Sequence, residues 1–460
     1  MSSRVVRKTA PGVRQLLPLP YGELGRLRRD PLGFLLEGVR RHGDVFRHTF
    51  GPLGFHLVAH PDHVRRVLLD NQRNYPRSRY YGRVRAVVGE GLVTTEGPAW
   101  RRLRRMTQPA FHHQRIAMLA GAMTDATEVM LGRWREFARR GEPLDVAAEF
   151  IGLTLRIVGR TLLSIDFGGE TDRIGAAVAE SLRFLDHRLN NLLSLPLGFP
   201  TRRNLRARRA IRLLDDVVFG LIAERRRDPG RDAGDLLAML LATRDQETGE
   251  GLSDRELRDQ LITFIGAGHE TTAVALAWTA YLISQHPEAD RRLRAEAAEV
   301  LDGRAPTAAD LPKLLYTRRV IEEALRLYPP VFAVSRDVVA DDEIGDYHIP
   351  ARTMIVLSPY VTHRHPEFWP DPEAFDPDRF TPERSAGRPR FAWYPFLGGP
   401  HQCIGQEFAM MEMTLVVAML VQAFRFELVP GAQVTPRPLV SLRPGGGVPL
   451  ILHSSTTRMR

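Results

Sequence analysis

The stretch Phe396-Leu-Gly-Gly-Pro-His-Gln-Cys403-Ile-Gly405 contains the only cysteine of the 460-residue chain and leads into a predicted helix over residues 406–424. Free N–H groups and the macrodipole at a helix N-terminus stabilise negative charge, so this position favours a thiolate ligand. Glycines leave room for a bulky planar partner close to the backbone at positions 398, 399 and 405. A single sulfur on a stiff loop suits a haem iron better than zinc, which normally takes three or four protein ligands.

The composition is that of a globular protein with a large core, since 43% of the residues are apolar and 26% are charged. Because one cysteine cannot form an intramolecular disulfide, a reducing cytoplasm is the expected location. The N-terminus lacks the apolar run of a signal peptide, and no uninterrupted run of about 18 apolar residues occurs. The sequence therefore predicts neither export nor a membrane anchor.

The net charge of +10 raises the question of nucleic acid as a partner. Arginine runs at residues 101–105, 202–209 and 225–227 recur at helical spacing, as solvated helix faces do. We therefore predict no nucleic-acid binding. A basic patch that docks an acidic electron carrier is the more informative interpretation.

The chain is predicted to form a single domain over residues 30–460, preceded by an extension over residues 1–29. Helical periodicity dominates residues 98–302, whereas short alternating runs predict strands within residues 44–60, 331–339, 343–349 and 353–357. Two segments resist a helical assignment, residues 80–97 and 190–200, and loops of that length are commonly lids or binding loops. The expected fold class is mainly α with small antiparallel β sheets.

A glycine-containing sequence, Gly266-Ala-Gly-His-Glu-Thr-Thr272, interrupts the apolar helix predicted over residues 261–284. Each glycine inside a helix costs about 1 kcal/mol relative to alanine, so the pair needs an offsetting role or is merely tolerated by packing. A helix thinned there can pass close to a flat cofactor. The Thr271 hydroxyl can bond to the Ala267 carbonyl and open a groove for dioxygen and water, while Glu270 adds a carboxylate for proton delivery.

Glu323 and Arg326 place opposite charges three residues apart on one face of a helix that is otherwise apolar. Such a pair is usually at the surface. The flanking apolar residues predict burial here, and burial requires that both charges be paired and fully hydrogen-bonded. A third partner is therefore expected, and Arg379 is the candidate.

Trp100 and Arg104 lie one helical turn apart, so both can face the same ligand. An indole N–H and a guanidinium are suitable donors for the two carboxylates of a haem. Arg336 and His401 are further candidates for this donor set. Without the cysteine loop, core packing beside a solvated arginine would be the simpler explanation.

Together these motifs resemble those of the cytochrome P450 family, the haem-thiolate monooxygenases. The haem-ligand signature is matched by Phe396, Gly399, Cys403 and Gly405. The oxygen-binding helix is matched from Ala267 and Gly268 to Glu270 and Thr271, and the structural triad by Glu323, Arg326 and Arg379. The resemblance runs from about residue 30 to residue 452, and one departure is His401, where arginine is commonest.

The resemblance implies a helical triangular prism that holds haem b between the helix of Thr271 and the loop of Cys403. It makes Cys403 the axial iron ligand and assigns Glu270 and Thr271 to proton relay to the distal oxygen. Cofactor contacts are implied for Trp100, Arg104, Ala267, Gly268, Arg336, Phe396, Gly399, His401 and Gly405. A monomeric chain without a flavin or nicotinamide fingerprint needs a separate ferredoxin and reductase, with NAD(P)H as the ultimate donor, and Arg101, Arg102 and Arg105 form the expected docking face.

The substrate pocket is expected to be apolar, with lining residues Phe264, Ile265, Val331, Phe332, Ala333 and Val334. This favours an apolar substrate such as a terpene, fatty acid, steroid or polyketide-like molecule, which receives one oxygen atom from O2. Two other classes share the haem, although peroxide-using or isomerising enzymes tend to lose the acid–alcohol pair that Glu270 and Thr271 retain here. One is a peroxide-using or isomerising haem-thiolate enzyme, and the other is a haem-thiolate sensor without catalytic activity.

Overall fold

Helices account for most of the chain in the computed structural model, which describes residues 8–15, 22–51, 53–165, 171–191, 194–228 and 234–455. The helices are α1 (Gly22–Arg29), α2 (Pro31–His42), α3 (Pro61–Arg65), α4 (Gly82–Val88), α5 (Gly97–Thr107), α6 (His113–Met118), α7 (Ala120–Arg140), α8 (Val146–Leu162), α9 (Thr171–Asn190), α10 (Arg202–Arg227), α11 (Leu236–Ala242), α12 (Asp254–Gln285), α13 (Pro287–Leu301), α14 (Leu315–Leu327), α15 (Pro359–Thr362), α16 (Pro382–Ser385) and α17 (Gln406–Ala423).

Short strands make up the small sheets that the sequence predicts. They are β1 (Gly12–Gln15), β2 (Val45–Phe50), β3 (Leu53–Val58), β4 (Leu144–Asp145), β5 (Val334–Asp337), β6 (Asp342–Ile344), β7 (Tyr347–Ile349), β8 (Met354–Leu357), β9 (Phe424–Leu428), β10 (Thr435–Pro438), β11 (Leu442–Gly445) and β12 (Pro449–Ser454). The pairs are antiparallel except for β1 with β2 and β3 with β8, which are parallel. The mainly helical fold class with small sheets is thus confirmed.

The chain divides into two units, of which the first comprises Met1–Arg79 and Glu323–Cys403. Its largest sheet has the strand order β1-β2-β3-β8-β5, and β6 pairs with β7 separately. Alternation along β2 places Val45 and Phe46 in two apolar clusters on opposite faces of the sheet. This unit carries the cysteine loop.

The second unit comprises Tyr80–Glu322 and Ile404–Arg460, and its long element is α12. A capping box begins this helix, since the Ser253 hydroxyl accepts from the Glu256 N–H and the Glu256 carboxylate accepts from the Ser253 N–H. Helix α8 packs along α12. The Trp278 indole donates to the Leu442 carbonyl at 2.7 Å and so connects α12 to β11.

The absence of a helix over residues 80–97 was a wrong prediction, because α4 lies inside this segment. Valine and glycine have weak helix propensity, but Val87 and Val88 are buried by tertiary packing, which overrides that propensity. Gly89, with φ +73°, ends the helix. The prediction for residues 190–200 is confirmed for Asn191 and residues 194–200, while residues 192–193 lie outside the described residues.

The prediction of a single domain over residues 30–460 stays a prediction. The strands expected within residues 44–60 and 331–357 are confirmed, as is the final helix, which ends one residue earlier than expected. Among the residues that the structure describes, no helix has the length and apolar character needed to cross a bilayer.

Candidate active site

The cysteine loop of the first unit has a fixed backbone. The Cys403 N–H donates to the Phe396 carbonyl at 2.9 Å, which closes the loop around a short 3-10 turn at Gly399–His401. Gly399 has φ +67°, and a Cβ at this position would lie 1.8 Å from the Leu68 carbonyl oxygen. The Cys403 residue at the end of this loop is exposed. A glycine is therefore required for the chain to present this sulfur.

The glycines of this loop differ in what they accommodate. A Cβ at Gly398 would lie 2.4 Å from the Phe391 ring, so both this residue and Gly399 are needed for contacts with the protein itself. A Cβ at Gly405 would have its nearest neighbour, Phe111, at 4.0 Å. The expectation that glycines 398 and 399 make room chiefly for a planar partner therefore needs correction, because protein atoms already crowd both positions.

The glycine-containing part of α12 forms an open stretch in a largely buried helix of the second unit. Ala267 is exposed and Gly266 and Thr271 are half-buried, whereas the helix is buried from Leu257 to Ile265 and from Thr272 to Ala280. A Cβ added at Gly266 would have no protein atom within 4 Å. The small residues thus leave one patch of helix backbone accessible.

Three successive carbonyls of this stretch each accept a threonine hydroxyl. The Thr271 hydroxyl donates to the Ala267 carbonyl at 2.8 Å, as the sequence predicts, and Thr272 donates to Gly268 at 3.0 Å. From α8, Thr154 donates to the His269 carbonyl at 2.9 Å. A carbonyl oxygen has two lone pairs, so it can accept a threonine hydroxyl as well as its backbone N–H partner in the helix. The threonine bond weakens the backbone bond and favours a local widening of the helix.

Glu270 is buried and held by two residues near the C-terminus. The Ser441 hydroxyl donates to its carboxylate at 2.6 Å, and the Arg443 Nε donates at 2.8 Å. Arg443 is about one-third exposed, so the carboxylate is linked to solvent through this guanidinium. Neither partner could be predicted from the sequence, because they lie more than 170 positions away in a segment without a motif.

His269, the neighbour of Glu270, takes no part in this pair. Its Nδ1 lies 2.7 Å from the Ile265 carbonyl, and the ring is buried. Burial lowers the pKa of His269, so the imidazole is neutral at physiological pH. The charge at this part of α12 is therefore carried by Glu270 with Arg443.

The predicted triad is assembled in the first unit. Arg326 donates to the Glu323 carboxylate from Nε at 2.6 Å and from Nη2 at 2.8 Å, and both side chains are fully buried. Arg379 Nε lies 3.4 Å from the same carboxylate. The remaining Arg326 donors reach the carbonyls of His363, Pro372 and Ala374. The structure thus brings the three residues together, with a buried and hydrogen-bonded Glu323–Arg326 pair and Arg379 at the distance of an ion pair.

Trp100 and Arg104 line one cavity of about 740 Å³ in the second unit. The cavity is also lined by Arg101, Arg105 and Arg115. Two of the arginines expected to form a docking face are neutralised within the chain. Arg105 pairs with Asp245 at 3.1 Å and with Glu247 at 3.0 Å, and Arg102 pairs with Glu256 at 2.5 Å.

The other predicted site residues belong to one unit or the other. Arg336 and Val334 are buried in β5 of the first unit. Positions 331–333, which directly precede this strand, are half-buried. His401 lies in the 3-10 turn before Cys403. Phe264 and Ile265 are buried in α12 of the second unit, where Phe264 contacts the Phe111 ring with centroids 5.4 Å apart.

These residues fit a haem. The donor set contains one exposed sulfur on a constrained loop, which suits iron in a porphyrin. Arginine and tryptophan around one cavity suit buried carboxylates. The accessible backbone at Gly266 and Ala267 suits the approach of a flat group.

Comparison with known proteins identifies the family. The family model for cytochrome P450 matches residues 19–447. The chain is 41% identical to a cyclooctat-9-en-7-ol 5-monooxygenase of Streptomyces melanosporofaciens, covering 92% of this chain and 90% of that protein. It is 37% identical to a pentalenene oxygenase of Streptomyces avermitilis, covering 95% of each.

Two solved structures share the fold. The haem domain of cytochrome P450DA has a TM-score of 0.87, with 26% identity and 98% of each chain covered. A cyanobacterial relative with retinoic acid bound has a TM-score of 0.85, with 26% identity, 98% of this chain and 100% of that chain covered. Sequence motifs, fold and full-length relatives agree, and the chain belongs to the cytochrome P450 family.

Proposed function

We propose that this cytochrome P450 monooxygenase inserts one oxygen atom from O2 into a terpene hydrocarbon or terpene alcohol. Haem is its cofactor, and the chain is an oxidoreductase. The terpene class is supported by the names of relatives that match nearly the whole chain, a cyclooctat-9-en-7-ol 5-monooxygenase and a pentalenene oxygenase. The predicted pocket positions are apolar, which agrees with such a substrate; they are Phe264, Ile265, Val331, Phe332, Ala333 and Val334.

The observation that carries the proposal is the accessible patch of α12 at Ala267 and Thr271, beside the buried acid Glu270. Cys403 would hold the iron, and Trp100, Arg104, Arg336 and His401 would bind the haem carboxylates. When bound, haem supplies the activation of dioxygen, which thiolate ligation directs toward O–O cleavage.

Proton delivery is assigned to the chain's own side chains. Glu270 is assigned to take a proton from solvent water beside Arg443, which is about one-third exposed and whose guanidinium stays charged, and to pass that proton toward the Thr271 hydroxyl. The Thr271 oxygen donates to the Ala267 carbonyl and can accept a second hydrogen bond, which makes it a relay. Ser441 holds the carboxylate in place during this transfer.

Electrons come from a separate redox partner, for which we propose a ferredoxin with its reductase. Because Arg102 and Arg105 are already paired, the docking face is assigned to Arg101 and Arg115, which are exposed at the rim of the 740 Å³ cavity.

Charge reversal of both Arg101 and Arg115 should raise the ferredoxin concentration needed for half-maximal turnover. Reversal of Arg133 and Arg140 on α7 is the matched control. An equal effect of both double variants would contradict this docking face. A cytoplasmic, monomeric enzyme is also proposed.

The reduced carbon monoxide complex provides the first test. Wild-type protein should show the absorption band typical of thiolate ligation, and Cys403→Ala should lose it, whereas Glu407→Ala on the exposed side of α17 should keep it. Protein that stays colourless after haem supplementation would refute the cofactor assignment. An unchanged band in Cys403→Ala would refute the ligand assignment.

Substrate class is tested by spectral titration and product analysis. Terpene hydrocarbons and alcohols should bind more tightly than matched fatty acids and steroids, and should yield products only with O2 and NAD(P)H in the presence of ferredoxin and reductase. Turnover with peroxide alone would indicate a peroxide-using enzyme. Binding without any turnover would indicate a sensor.

A further inference from the structure

The cysteine loop contains two residues in the left-handed region of backbone space. Leu397 has φ +59° and Gly399 has φ +67°. This region is costly for a residue with a Cβ, such as leucine. Such conformations persist only where the surrounding structure holds them in place. The elements that hold this loop therefore decide how Cys403 is presented.

The backbone at Leu68 lies directly against this loop. A Cβ at Gly399 would come within 1.8 Å of the Leu68 carbonyl oxygen and within 3.5 Å of the Leu69 Cα. On the side-chain level, Leu397 packs against the apolar cluster of the first unit that contains Leu68. The position of the Leu68 backbone therefore limits the positions that the loop can adopt.

Leu68 lies at the centre of a single π turn, Arg66–Asp70, which continues α3. The Asn71 N–H closes this turn by donating to the Arg66 carbonyl at 2.8 Å. Such turns are rare and occur frequently at functional sites. The orientation of the Leu68 carbonyl depends on how the two ends of the π turn are held.

One carboxylate holds both ends of the π turn. Asp342, the first residue of β6, accepts from Arg66 Nε at 3.1 Å and from the Asn71 side-chain amide at 3.0 Å. Arg66 Nη2 donates to the second Asp342 oxygen, and the Tyr75 hydroxyl donates to the first. The Asp342 side chain is 8% exposed. These bonds, of which those to a carboxylate are charge-assisted, fix Arg66 and Asn71 relative to β6.

The network has one protonation state at neutral pH. Burial opposes the ionisation of Asp342, but the hydrogen bonds from Arg66 and Tyr75 more than offset it and lower the pKa of Asp342 to about 2. Burial raises the pKa of Tyr75, so its hydroxyl keeps the proton that it donates. Asp342 is therefore a permanent restraint on the π turn and not a pH-dependent one.

Given the proposed role of Cys403 as the iron ligand, on which this inference rests, we propose that Asp342 is a positioning residue for the haem thiolate. Its effect passes through the π turn to the Leu68 carbonyl, which keeps Gly399 and the rest of the cysteine loop in place. The alternative is a solely structural role in joining α3 to β6. That role predicts no effect that is specific to the loop.

Hydrogen exchange of the haem-loaded full-length protein tests this coupling. Asp342→Asn should accelerate amide exchange in residues 396–403, where the Cys403 N–H donates to the Phe396 carbonyl, by at least about tenfold. In dilute denaturant, the reduced carbon monoxide complex of this variant should lose its thiolate band at least about tenfold faster than wild type. Tyr75→Phe removes one bond and keeps the ion pair, so both rates should rise only about threefold.

Asp310→Asn is the matched control. Asp310 is 6% exposed and pairs with Arg304, which is 48% exposed, much as Arg66 is 41% exposed beside its own carboxylate partner. Asp310 also accepts from the N–H and the hydroxyl of Thr307, each at 2.8 Å, and it belongs to the second unit. This variant should lose a similar free energy of unfolding and leave both measurements on the cysteine loop unchanged.

Equal acceleration of loop exchange in Asp342→Asn and Asp310→Asn would overturn the proposal, because a general loss of stability would then explain it. Faster exchange confined to the π turn, with the cysteine loop as in wild type, would overturn it as well and leave the structural role. If Asp342→Asn does not fold, Tyr75→Phe decides by the same comparison. A thiolate band that persists in Cys403→Ala would contradict the proposed ligand and not the coupling of Asp342 to the loop, which exchange measures separately.

Discussion

Glu412 is a carboxyl group inside α17 that is fully buried, and neither of its oxygens has a hydrogen-bond partner among the described residues. Burial raises the pKa of Glu412 well above its usual value of 4.5, so the folded protein keeps this proton at pH values where the unfolded chain releases it. The contribution of Glu412 to the free energy of unfolding is therefore most favourable below about pH 4.5, and it is lost as the pH rises toward the raised pKa of this group.

We expect Glu412→Gln to increase the free energy of unfolding relative to wild type by an amount that grows as pH rises from about 5 to 8, with a slope of up to about 1.4 kcal/mol per pH unit. Denaturant unfolding at several pH values measures this difference. Glu407→Gln, on an exposed position of the same helix, is the control. A difference that stays constant with pH would show that Glu412 is ionised in the folded protein.

Arg326 has the largest expected effect on stability of any single position in the triad. Arg326→Met leaves the buried Glu323 carboxylate without its two-point partner, and should lower the free energy of unfolding by about 3–5 kcal/mol. Arg139, which pairs with Glu136 at the same spacing but at the surface, is the matched control. Arg139→Met should cost about 1 kcal/mol or less. Similar losses in both variants would contradict the assigned burial.

The contacts of single residues could be predicted where both partners lie within one turn of the same helix. The Thr271–Ala267 bond and the Glu323–Arg326 pair follow from helical geometry within four positions. The partners of Glu270 did not follow, because Ser441 and Arg443 reach it through tertiary folding, and neither a serine in a bend nor an arginine in a strand carries a signal of its target. Long-range partners of this kind require the structure.

At the scale of elements, the glycines of α12 lower the stability of the helix but leave part of its backbone accessible. Gly266→Ala adds a methyl group that meets no protein atom within 4 Å, so it should stabilise the haem-free protein by up to about 1 kcal/mol through helix propensity. If this face receives the cofactor, the same methyl group should reduce haem affinity. Thermal unfolding of haem-free protein and haem titration measure the two effects.

Gly220→Ala is the control for that substitution. Gly220 lies inside α10, and a Cβ there would also meet no protein atom within 4 Å. It should stabilise the protein to a similar extent and leave haem binding unchanged. Unchanged haem affinity in Gly266→Ala would separate this part of α12 from the cofactor.

Helices with a strong hydrophobic periodicity were predicted from the sequence, whereas a helix with a weak periodicity was missed. Helix α12 was expected over residues 261–284 and extends from Asp254 to Gln285, because the capping box at Ser253 adds two turns that apolar periodicity does not register. Helix α4 was missed because its seven residues include a glycine and three valines. The burial of Val87 and Val88 favours the helix against that propensity.

At the scale of the whole molecule, the net charge of +10 should speed the approach of the proposed redox partner, an acidic ferredoxin. The screening length falls from about 10 Å at 0.1 M salt to about 3 Å at 1 M, so the rate of the first electron transfer should drop steeply as salt is added. Stopped-flow reduction measures this rate. Reduction by a small neutral reductant serves as the control, and a salt-independent ferredoxin rate would contradict electrostatic docking.

Gly399 has a consequence for attempts to change selectivity by random mutagenesis. Any codon change that alters this glycine introduces a Cβ into a space already filled by the Leu68 carbonyl oxygen, at a backbone angle that L-residues rarely adopt. Library members altered at this position should therefore be inactive whatever substrate is screened. Diversity is better placed at positions 331–333, which are only half-buried and lie outside the loop that carries Cys403.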